Sequence, residues 1–213
     1  MKKKYILWDN DGVLVDTEPW YFEANKSALS ELDISLTREE YMHFMQTGTS
    51  VWTIAEQKGI EPSRIAVQRK KRNQYYQYFI ETKDINIPGV TDILTELSKL
   101  YSMAIVTTSK KEDFLLIHKD RHILQYMDFY LAGGDYARSK PAPDPYLAAM
   151  ARFHAAADEC IVIEDSARGL QSAIAAGIDC IIVRNEFTAT HDFSGAYKII
   201  DSLRDLSREL SKW

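Results

Sequence analysis

Five short apolar runs punctuate the chain: Tyr5–Trp8, Met103–Val106, Phe129–Ala132, Cys160–Ile163 and Cys180–Val183. Each is continuous rather than alternating, the pattern of strands buried on both faces. Between the later runs the period becomes helical. Val90–Leu100 carries apolar residues at 90, 93, 94, 97 and 100. Ser109-Lys110-Lys111-Glu112 has the form of a capping box and predicts a helix with Phe114, Leu115 and Ile117, capped by Ser109. Pro145–Phe153 and Ala167–Ala176 are two further helical stretches, the second closed by Gly177. Strands alternating with helices predict an α/β fold, a doubly wound parallel Rossmann-like sheet.

The stretch after the first run breaks this rhythm. Helix-like pieces cover Pro19–Leu32, Thr37–Met45, Ser50–Lys58 and Pro62–Ile80, with no strand among them. An insert of this length far exceeds an ordinary crossover. The expected organisation is therefore a core formed by residues 1–15 and 87–213, and an all-helical cap domain formed by residues 16–86.

Composition narrows the class. Of 213 residues, 46% are hydrophobic, enough for a core, and the net charge is −5, which argues against a nucleic-acid binder. Cys160 and Cys180 each border an apolar run and read as reduced core residues. The run after Met1-Lys2-Lys3-Lys4 stops at Asp9, too short for a signal peptide. No stretch is long enough to span a membrane, so the expectation is a soluble cytoplasmic protein.

The chemistry lies at the strand ends, where parallel sheets bind ligands. The first run is followed by Asp9-Asn10-Asp11-Gly12, the second by Thr107-Thr108-Ser109, and the fourth by Glu164-Asp165-Ser166. Lys140 follows the third, stiffened by Pro141, Pro143 and Pro145. Asp-Gly alone is common turn chemistry. Beside other acids it suits a hard cation such as Mg²⁺, which prefers oxygen ligands. One carboxylate could then attack phosphorus, and another could move a proton to the leaving oxygen. Hydroxyls and a lysine could hold the remaining phosphoryl oxygens. A calcium loop counted from Asp9 fails, because its sixth and twelfth positions are Leu14 and Trp20. No phosphate-binding P-loop, dinucleotide fingerprint or serine-nucleophile elbow occurs.

These motifs, in this order, resemble the haloacid dehalogenase superfamily, in its branch with a helical cap after the first strand. They are Asp9-Asn10-Asp11-Gly12-Val13, Thr107 after a strand, Lys140 in Ser-Lys-Pro-Ala-Pro-Asp, and Glu164-Asp165-Ser166-Ala167-Arg168-Gly169. The resemblance implies Asp9 as nucleophile and Mg²⁺ ligand and Asp11 as general acid/base. It implies Thr107 and Lys140 as phosphoryl binders, with Thr108 able to share the role of Thr107. Glu164 and Asp165 join the metal site, and the backbone carbonyl of Asp11 supplies another ligand. Dehalogenases of this superfamily lack the second aspartate, so Asp11 points to phosphoryl chemistry.

The chain also resembles the β-phosphoglucomutase relatives in its Asp-Thr-Glu and Ser-Lys-Pro-Ala-Pro-Asp stretches. Tyr21 and Val51 stand where those relatives carry a cap histidine and an arginine. This favours a Mg²⁺-dependent phosphatase of a small phosphomonoester, such as a sugar phosphate, acting through an aspartyl-phosphate. The alternatives are a phosphosugar mutase and a non-catalytic phosphate-binding module. Specificity is expected in the cap, around Thr17–Tyr21 and Thr47–Trp52, with Thr17, Tyr21 and Thr49 as candidate substrate contacts. Trp20, Tyr21 and Trp52 either line a pocket or pack. Arg69-Lys70-Lys71-Arg72 reads as a solvated helix face, with Arg72 alternatively reaching a cleft. His118 and His122 are expected at the surface. Asn10, a position usually apolar in the family, has no assigned role.

Overall fold

The computed structural model describes residues 3–213; Met1 and Lys2 lie outside the described residues. The chain divides into two compact units. One contains the chain up to Asp16 together with Asn86–Trp213; the other is Thr17–Ile85. Each division falls one residue inside the limits expected for the insert.

The Thr17–Ile85 unit is helical: α1 (Glu18–Ser30), α2 (Arg38–Thr47), α3 (Thr53–Gln57) and α4 (Pro62–Thr82). Pro19 and Pro62 lie in first turns, where the missing N–H costs nothing. Thr37 and Glu40 form a reciprocal capping box on α2. α1 packs along α4, with Tyr21 edge-on to Tyr76 at 5.1 Å and Trp20 against Phe79 at 5.8 Å between ring centroids. Trp52 is buried.

The basic run on α4 is not one solvated face. Arg69 and Lys70 are exposed, and Lys71 ion-pairs with Glu31. Arg72 folds back onto α1, donating to the Tyr21 hydroxyl and to Asn25 Oδ1 (3.3 Å), its guanidinium 4.6 Å from the Tyr21 ring centroid. An aromatic face and two oxygens suit a guanidinium better than water does at a half-buried position.

The other unit is a parallel sheet with β1 (Tyr5–Trp8), β2 (Ser102–Lys110), β3 (Phe129–Gly133), β4 (Cys160–Glu164), β5 (Asp179–Val183) and β6 (Lys198–Ile200). Among the described residues the strand order is β3-β2-β1-β4-β5-β6. α5 (Val90–Leu97), α6 (Lys111–His118), α7 (Asp144–Phe153), α8 (Ala167–Ala175) and α9 (Leu206–Leu210) belong to this unit. Leu7, Val162 and Ile182 are fully buried in the sheet, as their continuous apolar runs require. Both cysteines are free and buried, and burial pushes the Cys160 thiol up to about 12, so it stays an unreactive core group. β6 was not legible because a three-residue edge strand with Lys198 and Ile199 exposed makes no apolar run.

Register places the chemistry. Trp8 pairs with Ile105 on one side and Ile163 on the other. One residue further on, Asp9, Val106 and Glu164 stand abreast. The order reverses between β1 and β4, the switch point where α/β sheets open a crevice for ligands.

Candidate active site

Lys140 ties those three neighbours together. Its Nζ donates to Asp9 Oδ1 (2.6 Å), Glu164 Oε1 (2.7 Å) and the Val106 carbonyl (2.8 Å). All three donor positions of the buried ammonium are thereby used. Burial works against the charged lysine, but Asp9 and Glu164 outweigh it and hold its pKa above the usual value. The Arg168 guanidinium donates to the Lys140 carbonyl (2.6 Å) and fixes the loop from the other end.

Glu164 is bound on both oxygens. Tyr146 donates its hydroxyl to Oε1 (2.9 Å), while Ser166 Oγ (3.0 Å) and the Asp165 and Ser166 amides reach Oε2. Burial alone would raise its pKa; Lys140 and these donors keep it below the usual value. Ser166 also caps α8 through the Gly169 amide. A Cβ at Gly169 would lie on the Glu164 carboxylate, so only glycine lets α8 start this close to it.

Asp165 completes the acidic group. Asp9, Glu164 and Asp165 are buried and present ligand atoms within 4.8 Å of one another. Asn185 Nδ2 donates to Asp165 Oδ2 (2.7 Å), and its own Oδ1 is held by the Phe187 and Thr188 amides and the Thr188 hydroxyl. Gly12, at φ +82°, turns the chain where a Cβ would collide with this Asp165 carboxylate. Burial, with the charge of Glu164 added, pushes Asp9 up to about 8 despite Lys140. Three carboxylates against one ammonium leave negative charge that a buried site does not hold unaided. An all-oxygen donor set with that surplus fits a hard divalent cation.

Asp11 stands in different surroundings. Its Oδ2 accepts from Ser109 Oγ (2.6 Å), Thr107 Oγ1 (3.2 Å) and Asn10 Nδ2 (3.3 Å). Thr107 and Ser109 lie two apart along the end of β2, so both point to the same side. The pairing of β2 with β3 shifts register between Val106 and Lys110. Ser109 therefore does not cap α6: Lys110 holds that position, and Ser109 serves Asp11 instead. Thr108, one residue out of phase, is exposed.

His118 corrects a second expectation. It is 4% exposed, and its Nε2 lies 2.8 Å from Asn10 Oδ1. His122 is exposed, as expected. Asn10, Ser109, His118, Tyr146 and Asn185 are site neighbours that sequence reasoning missed. Only Asn10, a polar residue inside an apolar-bordered motif, carried a signal. Asp9, Asp11, Thr107, Lys140, Glu164 and Asp165 come together at one sheet edge. Thr17, Tyr21 and Thr49 belong to the helical unit: Thr17 is buried at the start of α1, Tyr21 holds Arg72, and Thr49 is exposed beside Thr47 (2.7 Å between hydroxyls).

Comparison with known proteins matches residues 6–183 to the haloacid dehalogenase-like hydrolase family. Protein CbbY of Cereibacter sphaeroides is 28% identical, covering 94% of this chain and 93% of its own length. A phosphorylated carbohydrates phosphatase of Thermotoga maritima is 28% identical over 83% of this chain and 82% of its own. The crystal structure of a CbbY mutant from Rhodobacter sphaeroides, in complex with xylulose-(1,5)bisphosphate, superposes with a TM-score of 0.80 at 26% identity, covering 94% of each chain. The family match runs from the second residue of β1 to the end of β5 and includes all six residues gathered at the sheet edge, and the chain belongs to the haloacid dehalogenase-like hydrolase family.

Proposed function

We propose that this chain is a Mg²⁺-dependent phosphatase that hydrolyses a small phosphomonoester, such as a sugar phosphate, through a phosphoryl group carried on Asp9. The observation that carries the reading is the pairing of two unlike carboxylates. Asp9 is bound by an ammonium beside an acidic group fit for a cation, and Asp11 is bound by neutral donors.

Asp9, Glu164 and Asp165 would hold the metal, together with the Asp11 carbonyl. Bound there, Mg²⁺ would neutralise charge on the phosphoryl oxygens. The Asp9 carboxylate attacks phosphorus while Asp11 gives a proton to the departing ester oxygen. Asp11, now a carboxylate, takes a proton from the water that cleaves the acyl phosphate. Lys140 and Thr107 stabilise charge on the transferring group.

The helical unit is proposed to act as a cap, with Thr17, Tyr21 and Thr49 as specificity positions. Supporting this, the insert leaves the core just after Asp11, and an antiparallel bridge between Val15 and Asn86 pins its entry and exit together. The phosphorylated carbohydrates phosphatase and the CbbY complex, both similar over most of this chain, support a sugar-phosphate substrate class. Tyr21 and Val51, where a mutase would need groups for a second phosphate, count against isomerisation.

The test is phosphate release from p-nitrophenyl phosphate and a panel of sugar phosphates, with Mg²⁺ and with a chelator. Mg²⁺-dependent release is expected. No release from any ester would contradict the reading, and isomer conversion faster than release would replace it with a mutase.

A further inference from the structure

Asn10 is fully buried between the two catalytic aspartates, and His118 is buried behind it. Two polar side chains in such a place are costly unless they satisfy each other and something more. An apolar residue at position 10 would pack between strands with no such cost. The amide has both ends engaged: Nδ2 meets Asp11 Oδ2 at 3.3 Å, and Oδ1 meets His118 Nε2 at 2.8 Å. Since Nδ2 faces an acceptor, Oδ1 must face a donor, so His118 carries its proton on Nε2. Burial pushes His118 down to about 4, with Arg121 adding to the effect and the charge of Asp11 opposing it. The imidazole is therefore neutral near pH 7, with one N–H to place. Phe114, 4.6 Å away between ring centroids, holds the ring in position.

We propose that Asn10 and His118 are positioning residues for Asp11: the His118 Nε2–H fixes the Asn10 amide, and the Asn10 Nδ2–H holds the Asp11 carboxyl group in place by its Oδ2. Thr107 and Ser109 meet Oδ2 through hydroxyls, which rotate and can donate or accept. An amide N–H can only donate. It therefore gives the Asp11 side chain one fixed point of attachment at Oδ2. In the phosphoryl transfer, the Asp9 oxygen bonds to phosphorus and the ester P–O bond breaks. Its electron pair stays on the leaving oxygen, which takes the proton from Asp11, so the orientation of that side chain bears on the transfer. This inference rests on Asp11 being the general acid of the proposed phosphatase.

Leaving-group dependence tests it. p-Nitrophenolate departs readily without a proton, whereas phenolate gains more from one. kcat/KM is measured for p-nitrophenyl phosphate and phenyl phosphate with Mg²⁺ in four variants. Asp11→Asn should lose far more on phenyl phosphate. His118→Leu should show the same preference, with a loss on the order of tenfold larger on phenyl phosphate, a part of what general acid catalysis supplies. His118→Gln keeps a donor and should keep the wild-type ratio. Asn10→Leu/His118→Leu removes both polar groups together, so no orphan is left to unfold the core. It should behave like His118→Leu, which keeps the test open if that single variant does not fold. Proportionate losses on both esters in His118→Leu and the double variant, beside a selective loss in Asp11→Asn, would overturn the positioning role alone. An unselective Asp11→Asn would overturn it together with the acid role of Asp11.

Discussion

Asp9 and Asp11 are two residues apart yet occupy opposite electrostatic surroundings. Asp9 is held by the Lys140 ammonium and crowded by Glu164 and Asp165. Asp11 is held by two hydroxyls and an amide, backed by a neutral imidazole. The difference fits the roles proposed for the two. A nucleophile that also binds a cation must be ionised; burial and Glu164 oppose that form and Lys140 favours it, so a cation at the acidic group would complete the balance. An acid that becomes a base must change protonation state each turnover. The donors around its Oδ2 carry no charge, in keeping with that role.

Breaking the neutral side should have the largest effect. Asp11→Asn keeps the shape and the cradle but removes the transferable proton, and turnover of a sugar phosphate should fall about 10²–10⁴-fold in steady-state assays. On the charged side, Lys140→Met keeps the stem and removes the ammonium. Turnover should fall roughly 10²–10³-fold. The two buried carboxylates left facing each other should lower unfolding free energy in denaturant titrations by about 3–5 kcal/mol. Asn185→Ala touches neither aspartate of the pair. It removes the Asn185 hydrogen bond from the Asp165 carboxylate and should weaken Mg²⁺ affinity about 10–100-fold by calorimetry, with the fold intact.

The remaining effect is on stability alone and concerns His118 and pH. Its folded pKa, about 4, lies below its unfolded value of 6.5. Above pH 6.5 neither state is charged and the residue contributes nothing. As pH falls from 6.5 to 4 the unfolded chain takes up a proton that the native state refuses, so stability drops, then levels off. The loss is on the order of 3 kcal/mol. Denaturant titrations of wild type and His118→Gln should diverge across that window by this amount, with the variant the flatter.

Much of this frame was legible in the sequence. β1, β2, β4 and β5 lie inside the sheet and β3 is half-buried at its edge, so their apolar runs are continuous and announce themselves. Acids and hydroxyls directly after such runs must lie at one sheet edge, which is where the structure gathers Asp9, Asp11, Thr107, Glu164 and Asp165. The second circle of residues was hidden for definable reasons. Ser109 sits where β2 shifts register, and its sequence context imitates a helix cap. His118 meets Asn10 across 108 positions, and nothing local to α6 marks its last residue as buried. Asn185 follows β5 in a loop whose turn, closed on its own Oδ1, has no periodic signature. Gly169 was visible as a motif residue, but the carboxylate it must clear was not.

The central claim is that phosphoryl transfer passes through Asp9. Mass spectrometry of the protein quenched during turnover of p-nitrophenyl phosphate with Mg²⁺ reads this directly. One phosphoryl group should appear on the peptide carrying Asp9, in the wild type and not in Asp9→Asn, which should also be inactive. Sustained turnover in Asp9→Asn, or a phosphoryl group on any other residue, would contradict the account.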